Sequence, residues 1–349
     1  MRFDAARALL AAAVAERASP AAAIEVGRRS GALWTEAFGR LTYDGGAPAC
    51  TPETVFDLAS LTKVISTASI AMQAVTNGRL DLEMRVREVC SPWRKADREG
   101  VTIRHLLDHS SGLPAHVPFW KQLPEAGGVE QAIAELALSY TPGSTSVYSD
   151  AGFILLGLLL ERVLGRTLRD LFEPIGDAIG PTLHFAPSAS LGARVAPTEF
   201  DPWRGRLLQA EVHDENAALL GGAAGHAGLF GTVQEVGRFA RLVLSTFEDA
   251  TLIGNPDSMR TFARRSAVPG SSRALAWDTM LPASSCGTRF SARAIGHTGF
   301  TGTSLWVDPK MDVYVALLSN RVHPTRTNNR FQALRPAVHD AVIQELVRT

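Results

Sequence analysis

The chain has 349 residues, 46% of them hydrophobic and 20% charged, with a formal net charge of +0. That length supports about two domains, or one large domain carrying an insertion, and a core that needs no disulfide staples. The balanced charge excludes the electrostatic footprint of a nucleic-acid or acidic-membrane binder.

The N-terminal stretch "MRFDAARALLAAAVAERASP" reads as an amphipathic helix with Arg2, Arg7, Glu16 and Arg17 on its wet side. It fits a signal peptide less well, because its apolar run is short and Asp4 falls in the region that should be basic. Residues 22–44 carry two partly alternating runs around "RRSGA", which predicts a β-hairpin. An apolar helix is expected from Ser60 to Asn77, with Gly78 as its C′ residue. From there to about residue 280 the pattern is mostly helical, cut by Gly/Pro loops. Residues 293–321 return to strand-like runs with tight turns at "GFTG" and "DPKMD", and "RPAVHDAVIQELV" predicts a closing helix. The expected fold is α+β: an antiparallel sheet built from both chain ends (1–65 and 285–349), flanked by helices, with a mostly helical region (66–284) inserted and a site in the cleft between them. The longest apolar run, "AGFILLGLLL" at 151–160, is too short to span a bilayer. Cys50, Cys90 and Cys286 fit neither a disulfide framework nor a metal cluster and point to a cytoplasmic protein.

Lysine occurs only at 63, 95, 121 and 310, and a serine three residues before a lysine occurs once, at Ser60 and Lys63. On a helix these two share a face, about one turn apart. The helix N-terminus and an apolar setting both disfavour an ammonium, so the lysine is expected to lose its proton more readily than usual. A neutral lysine beside a serine hydroxyl can take its proton and leave a nucleophile for acyl transfer. The same residues also suit a helix cap and a lysine that snorkels to water.

Two further stretches could complete such a site. Tyr148 lies in "YTPGSTSVYSD", two residues before Asp150, which can cap the following apolar helix. A tyrosine there can pass a proton between nucleophile and leaving group, or be a half-buried loop aromatic. In "AIGHTGFTG", His297, Thr298 and Gly299 sit on a predicted strand. A strand glycine allows close approach of a substrate backbone, and the N–H of Phe300, with that of Ser60, could hold an oxyanion. An ordinary hairpin histidine is the other reading of that stretch.

These pieces, in this order, resemble the serine β-lactamase and penicillin-binding-protein superfamily, in its class C-like branch: Ser60–Lys63 as S-x-x-K, Tyr148–Ser149–Asp150 in place of Tyr-x-Asn, and His297–Thr298–Gly299 in place of Lys-Thr-Gly. The stretches "TVFDLASLTK", "TIRHLLDHSSGLP", "YSDAGFILLGLLLERVLG" and "HDENAALLGGAAGHAGLFGT" extend the likeness from about residue 20 to the end. The resemblance implies a helical domain on an α/β domain and an acyl-serine intermediate. Ser60 would be the nucleophile, Lys63 and Tyr148 the proton-transfer pair, and Asp150, His297, Thr298, Gly299 and Phe300 the substrate and oxyanion residues. Two departures matter. Asp150 lacks the amide donor of the usual residue, and His297 offers less charge to a carboxylate than lysine does.

The expected function is therefore a cofactor-free serine hydrolase of small-molecule esters, amides or β-lactams, with esterase-like activity favoured. The alternatives are a D,D-carboxypeptidase or D-aminopeptidase acting on wall-derived peptides, and a non-catalytic binding or sensor protein on the same scaffold. His105 and His109 have the i, i+4 spacing of metal ligands but lack the H-E-x-x-H pattern, and "GGAAGHAGLFG" lacks the ending of a phosphate loop, so neither is assigned a metal or nucleotide role.

Overall fold

In the computed structural model, which describes residues 3–187 and 189–348, alternate residues of the strand Val313–Ser319 enter two different cores. Val313, Val315 and Leu317 join one, and Tyr314, Ala316 and Leu318 join the other, as the two-residue period of a strand requires. Among the described residues this strand belongs to a six-stranded antiparallel sheet. Its members are β1 (Ala21–Arg28), β2 (Gly31–Gly39), β3 (Asp278–Thr279), β4 (Ile295–Thr298), β5 (Ser304–Asp308) and β6 (Val313–Ser319), in the order β2-β1-β6-β5-β4-β3. The hairpin predicted around "RRSGA" is β1 and β2, with a bulge between Val26 and Gly27. The N-terminal hairpin joins the C-terminal strands through β1 and β6, with Ala22 opposite Ser319 and Val26 opposite Val315.

Two terminal helices, α1 (Asp4–Ala15) and α5 (Arg330–Arg348), cover one face of this sheet through Leu10, Phe331, Val338 and Val342. Arg2 of the predicted wet face lies outside the described residues. The other face is covered by α4 (Val233–Thr246), whose Val236, Phe239, Ala240 and Val243 share a core with β1 and β6. This helix comes from the middle region, and the sheet already begins at Asp278, so the two parts interlock more than a boundary at 285 describes. The remaining middle region is helical around α3 (Asp150–Leu164), which is buried on most of its circumference. The three cysteines are buried and unpaired. Among the described residues no helix is long and apolar enough to cross a membrane.

The segment expected as one helix from Ser60 to Asn77 is broken into three. A 3-10 turn covers Ala59–Leu61, a widened π-type turn covers Lys63–Thr67, and only Ala68–Thr76 is the α-helix α2. Bonds to a neighbouring loop accompany the widened turn: Thr67 Oγ1 donates to Gly225 O at 2.7 Å and Lys63 Nζ to His226 O at 3.0 Å. Such wide turns are over-represented at functional sites. The helix ends as expected. Gly78 has φ +66°, and its N–H and that of Arg79 close back on Val75 O and Ala74 O, the Schellman pattern.

Candidate active site

Ser60 follows a residue in a costly backbone conformation. Ala59 has φ +48°, a left-handed value that costs about 1–2 kcal/mol without glycine. The surroundings hold it there. Asp57 Oδ1 accepts the Ala59 N–H at 2.8 Å, and Thr62 Oγ1 donates to Ala59 O at 2.6 Å. Thr301 and Thr303 reach across from the loop after β4, donating to Asp57 O at 2.8 Å and Leu58 O at 3.0 Å. The turn that carries Ser60 and the 299–303 loop are thus tied directly together.

Lys63 is fully buried. Its Nζ lies 3.1 Å from Ser60 Oγ, 2.8 Å from Asp150 Oδ1 and 3.0 Å from His226 O. A carboxylate oxygen and a carbonyl only accept, so two N–H bonds point at them. The Ser60 side is therefore the position where a neutral amine would carry its lone pair. Burial alone would push the Lys63 pKa down, but the Asp150 carboxylate and the Tyr148 phenol outweigh it and the net shift is upward. The expected direction is reversed, because the counter-ion was not visible in the spacing. Burial would raise Asp150, yet Lys63, His116 and His226 together outweigh it and hold the carboxyl well below the usual range. Asp150 does not cap α3. Ser149 does, its hydroxyl accepting from Gly152 N at 3.0 Å, while Asp150 occupies the first helical position and turns to the lysine.

The ring of Tyr148 is enclosed by charge and aromatics. Lys63 Nζ lies 4.9 Å and Arg273 Cζ 5.1 Å from its centroid, and the His109 ring is at 4.7 Å. Burial, with the Asp150 carboxylate, raises the Tyr148 pKa by more than its interactions with Lys63 and Ser60 lower it. His109 fixes this loop by accepting the Ser149 N–H on Nδ1 at 3.0 Å. His105 has a local task as well, its Nδ1 accepting the Thr102 N–H at 3.1 Å.

His297, Thr298, Gly299 and Phe300 line the same cleft as Ser60, Tyr148 and Asp150, a cavity of about 730 Å³. Gly299 cannot carry a side chain: a Cβ would stand 2.0 Å from Thr303 Oγ1 and 2.7 Å from Leu58 O. Arg335, from α5, donates to Gly299 O at 2.9 Å, and Arg321 donates to Phe300 O at 2.9 Å. In a trans peptide the N–H points opposite to the C=O. Pinning Gly299 O to buried Arg335 therefore aims the Phe300 N–H away from α5. Among the described residues that N–H has no acceptor. The bonds of the 3-10 turn start at Leu61 N and Thr62 N, so they leave the Ser60 N–H unused.

Burial, aided by Arg273, pulls His297 well below its ordinary pKa. Its Nδ1 lies 2.8 Å from Thr298 O, an acceptor, so Nδ1 carries the proton. This neutral ring brings no charge to a carboxylate. Among the cations that line the cleft, Arg273 lies against the Tyr148 ring, in a loop without periodicity that sequence reasoning did not single out. The role of His226 was also missed. Its ring nitrogen Nε2 lies 2.8 Å from Asp214 Oδ1 while its carbonyl holds Lys63. The signal was the glycine-rich "GGAAGHAGLFG": a Cβ on Gly225 would stand 2.1 Å from Phe153 O, so only glycine lets this loop close onto α3.

A serine, a lysine and a tyrosine meet at the mouth of a two-part α+β fold, the arrangement of a serine acyl hydrolase. A family model described as Beta-lactamase matches residues 6–338, and the chain belongs to that family. It is 29% identical over 316 residues to an N-acetylmuramyl-L-alanine amidase of Bacillus subtilis (strain 168), covering 77% of this chain and 68% of the relative. It is 27% identical over 337 residues to a putative D-alanyl-D-alanine carboxypeptidase of Escherichia coli (strain K12), covering 83% and 77%. Its fold is similar to that of a penicillin-binding protein homolog from Caulobacter crescentus, with a TM-score of 0.78, 20% identity and coverage of 98% and 97%.

Proposed function

We propose that this enzyme cleaves a small amide whose leaving or acyl part carries a carboxylate, with a wall-derived peptide as the substrate class. The observation that carries this reading is Arg273, whose guanidinium carbon lies 5.1 Å from the Tyr148 ring centroid in the Ser60 cleft. There it can meet the carboxylate that neutral His297 cannot. The names of the amidase and carboxypeptidase relatives support the same class. A favoured esterase activity gives way to an amidase or peptidase on this ground.

Ser60 is the proposed nucleophile. At rest Lys63 is an ammonium paired with Asp150. In the reactive form it is neutral and its lone pair faces Ser60. Ser60 Oγ attacks the acyl carbon and its proton moves to Lys63. The N–H groups of Ser60 and Phe300 hold the oxyanion. The bond to the leaving group then breaks, and Tyr148, which reaches both Ser60 and Lys63, relays the proton to the departing nitrogen. Water repeats the sequence on the acyl-serine, giving a proton to the same pair and returning Ser60.

Intact mass after treatment with a fluorophosphonate tests the nucleophile: one adduct on the parent chain and none on Ser60→Ala is the expected result. Labelling that persists in folded Ser60→Ala would refute it. A panel of matched D- and L-dipeptides and neutral esters tests the substrate class. Faster turnover of neutral esters than of any carboxylate-bearing amide would restore the esterase reading.

A further inference from the structure

A second groove, of about 830 Å³, lies apart from the Ser60 cleft and shares none of its lining residues. Its cationic side chains come from separate parts of the chain: Arg260, Arg264 and Arg265 at the end of the helix Pro256–Ala263, Arg293 before β4, and Lys310 in the turn after β5. Against them the lining supplies one acidic residue, Glu248. The whole chain has a net charge of +0, so this excess is local.

Two of the cations are used by the protein. Arg260 pairs with Asp257 at 2.8 Å. Arg265 donates to Thr279 Oγ1 and Met280 O, both at 2.7 Å, which fixes it as part of the wall. Arg264, Arg293 and Lys310 are exposed and have no carboxylate partner among the described residues. Like charges gathered around one concavity repel each other, and that repulsion is relieved when a multivalent anion enters. Guanidinium forks match the paired oxygens of phosphate in a way that an isolated surface lysine does not. The other lining residues include Phe247, Ala263, Ala292 and Pro309, which give an organic body something to lie on.

We infer that this groove is a second binding site, for a ligand carrying two adjacent phosphate groups. The shared chemistry is the diphosphate, which inorganic pyrophosphate and a nucleoside diphosphate both supply. The size of the groove falls within the range of small-molecule sites. It is also joined to the cleft by a rigid element: Ile295 lines the groove and Thr298 lines the cleft on the same strand, about 10 Å apart at the usual rise per residue.

Calorimetric titration of the full chain at low ionic strength with inorganic pyrophosphate, and separately with ADP, tests the inference. The variants are the double substitution Arg264→Ala with Arg293→Ala, and Arg273→Ala in the cleft. The expected result is saturable binding to the parent, weakened at least tenfold in the double variant and unchanged in Arg273→Ala. An unchanged thermal melt would show that the double variant is folded. Tighter binding of ADP than of pyrophosphate would add a contact to the organic part, with Phe247 as its platform, and equal binding would limit recognition to the phosphates. Absence of saturable binding to the parent overturns the inference. So does binding that survives in the double variant but is lost in Arg273→Ala, because the anion would then sit in the cleft.

Discussion

Lys63 Nζ stands 2.8 Å from Asp150 Oδ1, with the lysine side chain wholly buried and the aspartate side chain 21% exposed. The pair sets the proton inventory of the site. Lys63 is shifted upward, so its share of the stabilisation is present below its unfolded value and fades as pH rises through the folded one. Asp150 is shifted downward, so its share is present above the ordinary carboxylate range and fades on acidification. Both shares coincide across neutral pH. Asp150→Asn removes the charge that holds the lysine proton, and the rising limb of kcat/KM against pH should move to lower pH. A limb that stays in place would show that Lys63 does not titrate in the rate-limiting step. Asp150→Ala should cost about 3 kcal/mol in urea unfolding, the low end for breaking a buried pair, because the aspartate keeps some contact with water.

Gly299→Ala should be damaging twice over. Its Cβ would overlap Thr303 Oγ1 and Leu58 O, and both groups belong to the tie between the turn that carries Ser60 and the 299–303 loop. Overpacking of this kind costs about 1–3 kcal/mol. A lowered melting temperature together with loss of turnover is expected, and an unchanged melt would mean that the loop relaxes freely.

Arg335 is a positioning residue for the Phe300 N–H. Arg335→Leu should lower kcat with little change in KM. The loss should be smaller than the roughly 100- to 1,000-fold seen on deleting an oxyanion donor outright. Arg335→Lys, which can still reach a carbonyl, should recover part of it. A rise in KM with kcat intact would instead place Arg335 on the substrate.

Arg273→Ala separates substrate recognition from chemistry. Hydrogen bonds to charged groups contribute about 1.5–3 kcal/mol, so kcat/KM for a carboxylate-bearing amide should fall about 10- to 100-fold. A neutral ester of similar size should be little affected. Equal losses on both would mean that Arg273 acts through the Tyr148 ring beneath it.

The sheet was legible in the sequence because its strands are short runs bounded by turn residues: partly alternating around "RRSGA", and continuously apolar in "VYVALLS" of β6, which is buried on both faces. The order and flanks of the Ser60, Tyr148 and His297 stretches carried the site in the same way. What the sequence did not reveal depends on choices between near neighbours. Ser149 and Asp150 are both competent caps, and one residue of register decides which faces Lys63. With the counter-ion hidden, helix-end and burial arguments pointed the lysine pKa the wrong way. The break after Ser60 was hidden because the contacts that accompany it, those of Thr67 and Lys63 with the 225–226 backbone, come from more than 150 residues away. Arg273 lies in an irregular loop, where no periodicity marks a side chain as facing inward.

The pairing of β1 with β6 has a consequence for how the chain is made. Once Gly39 is complete, β1 has β2 on one side and an open row of backbone donors and acceptors on the other, until Val313–Ser319 is synthesised. At about 5–20 residues per second, that interval is on the order of tens of seconds. Throughout it the nascent hairpin offers an unpaired edge to any neighbouring strand. Ser60 is meanwhile present without the Phe300 N–H. The cleft residues at Ser60 and Phe300 are therefore held together only once the C-terminal strands have joined the early hairpin.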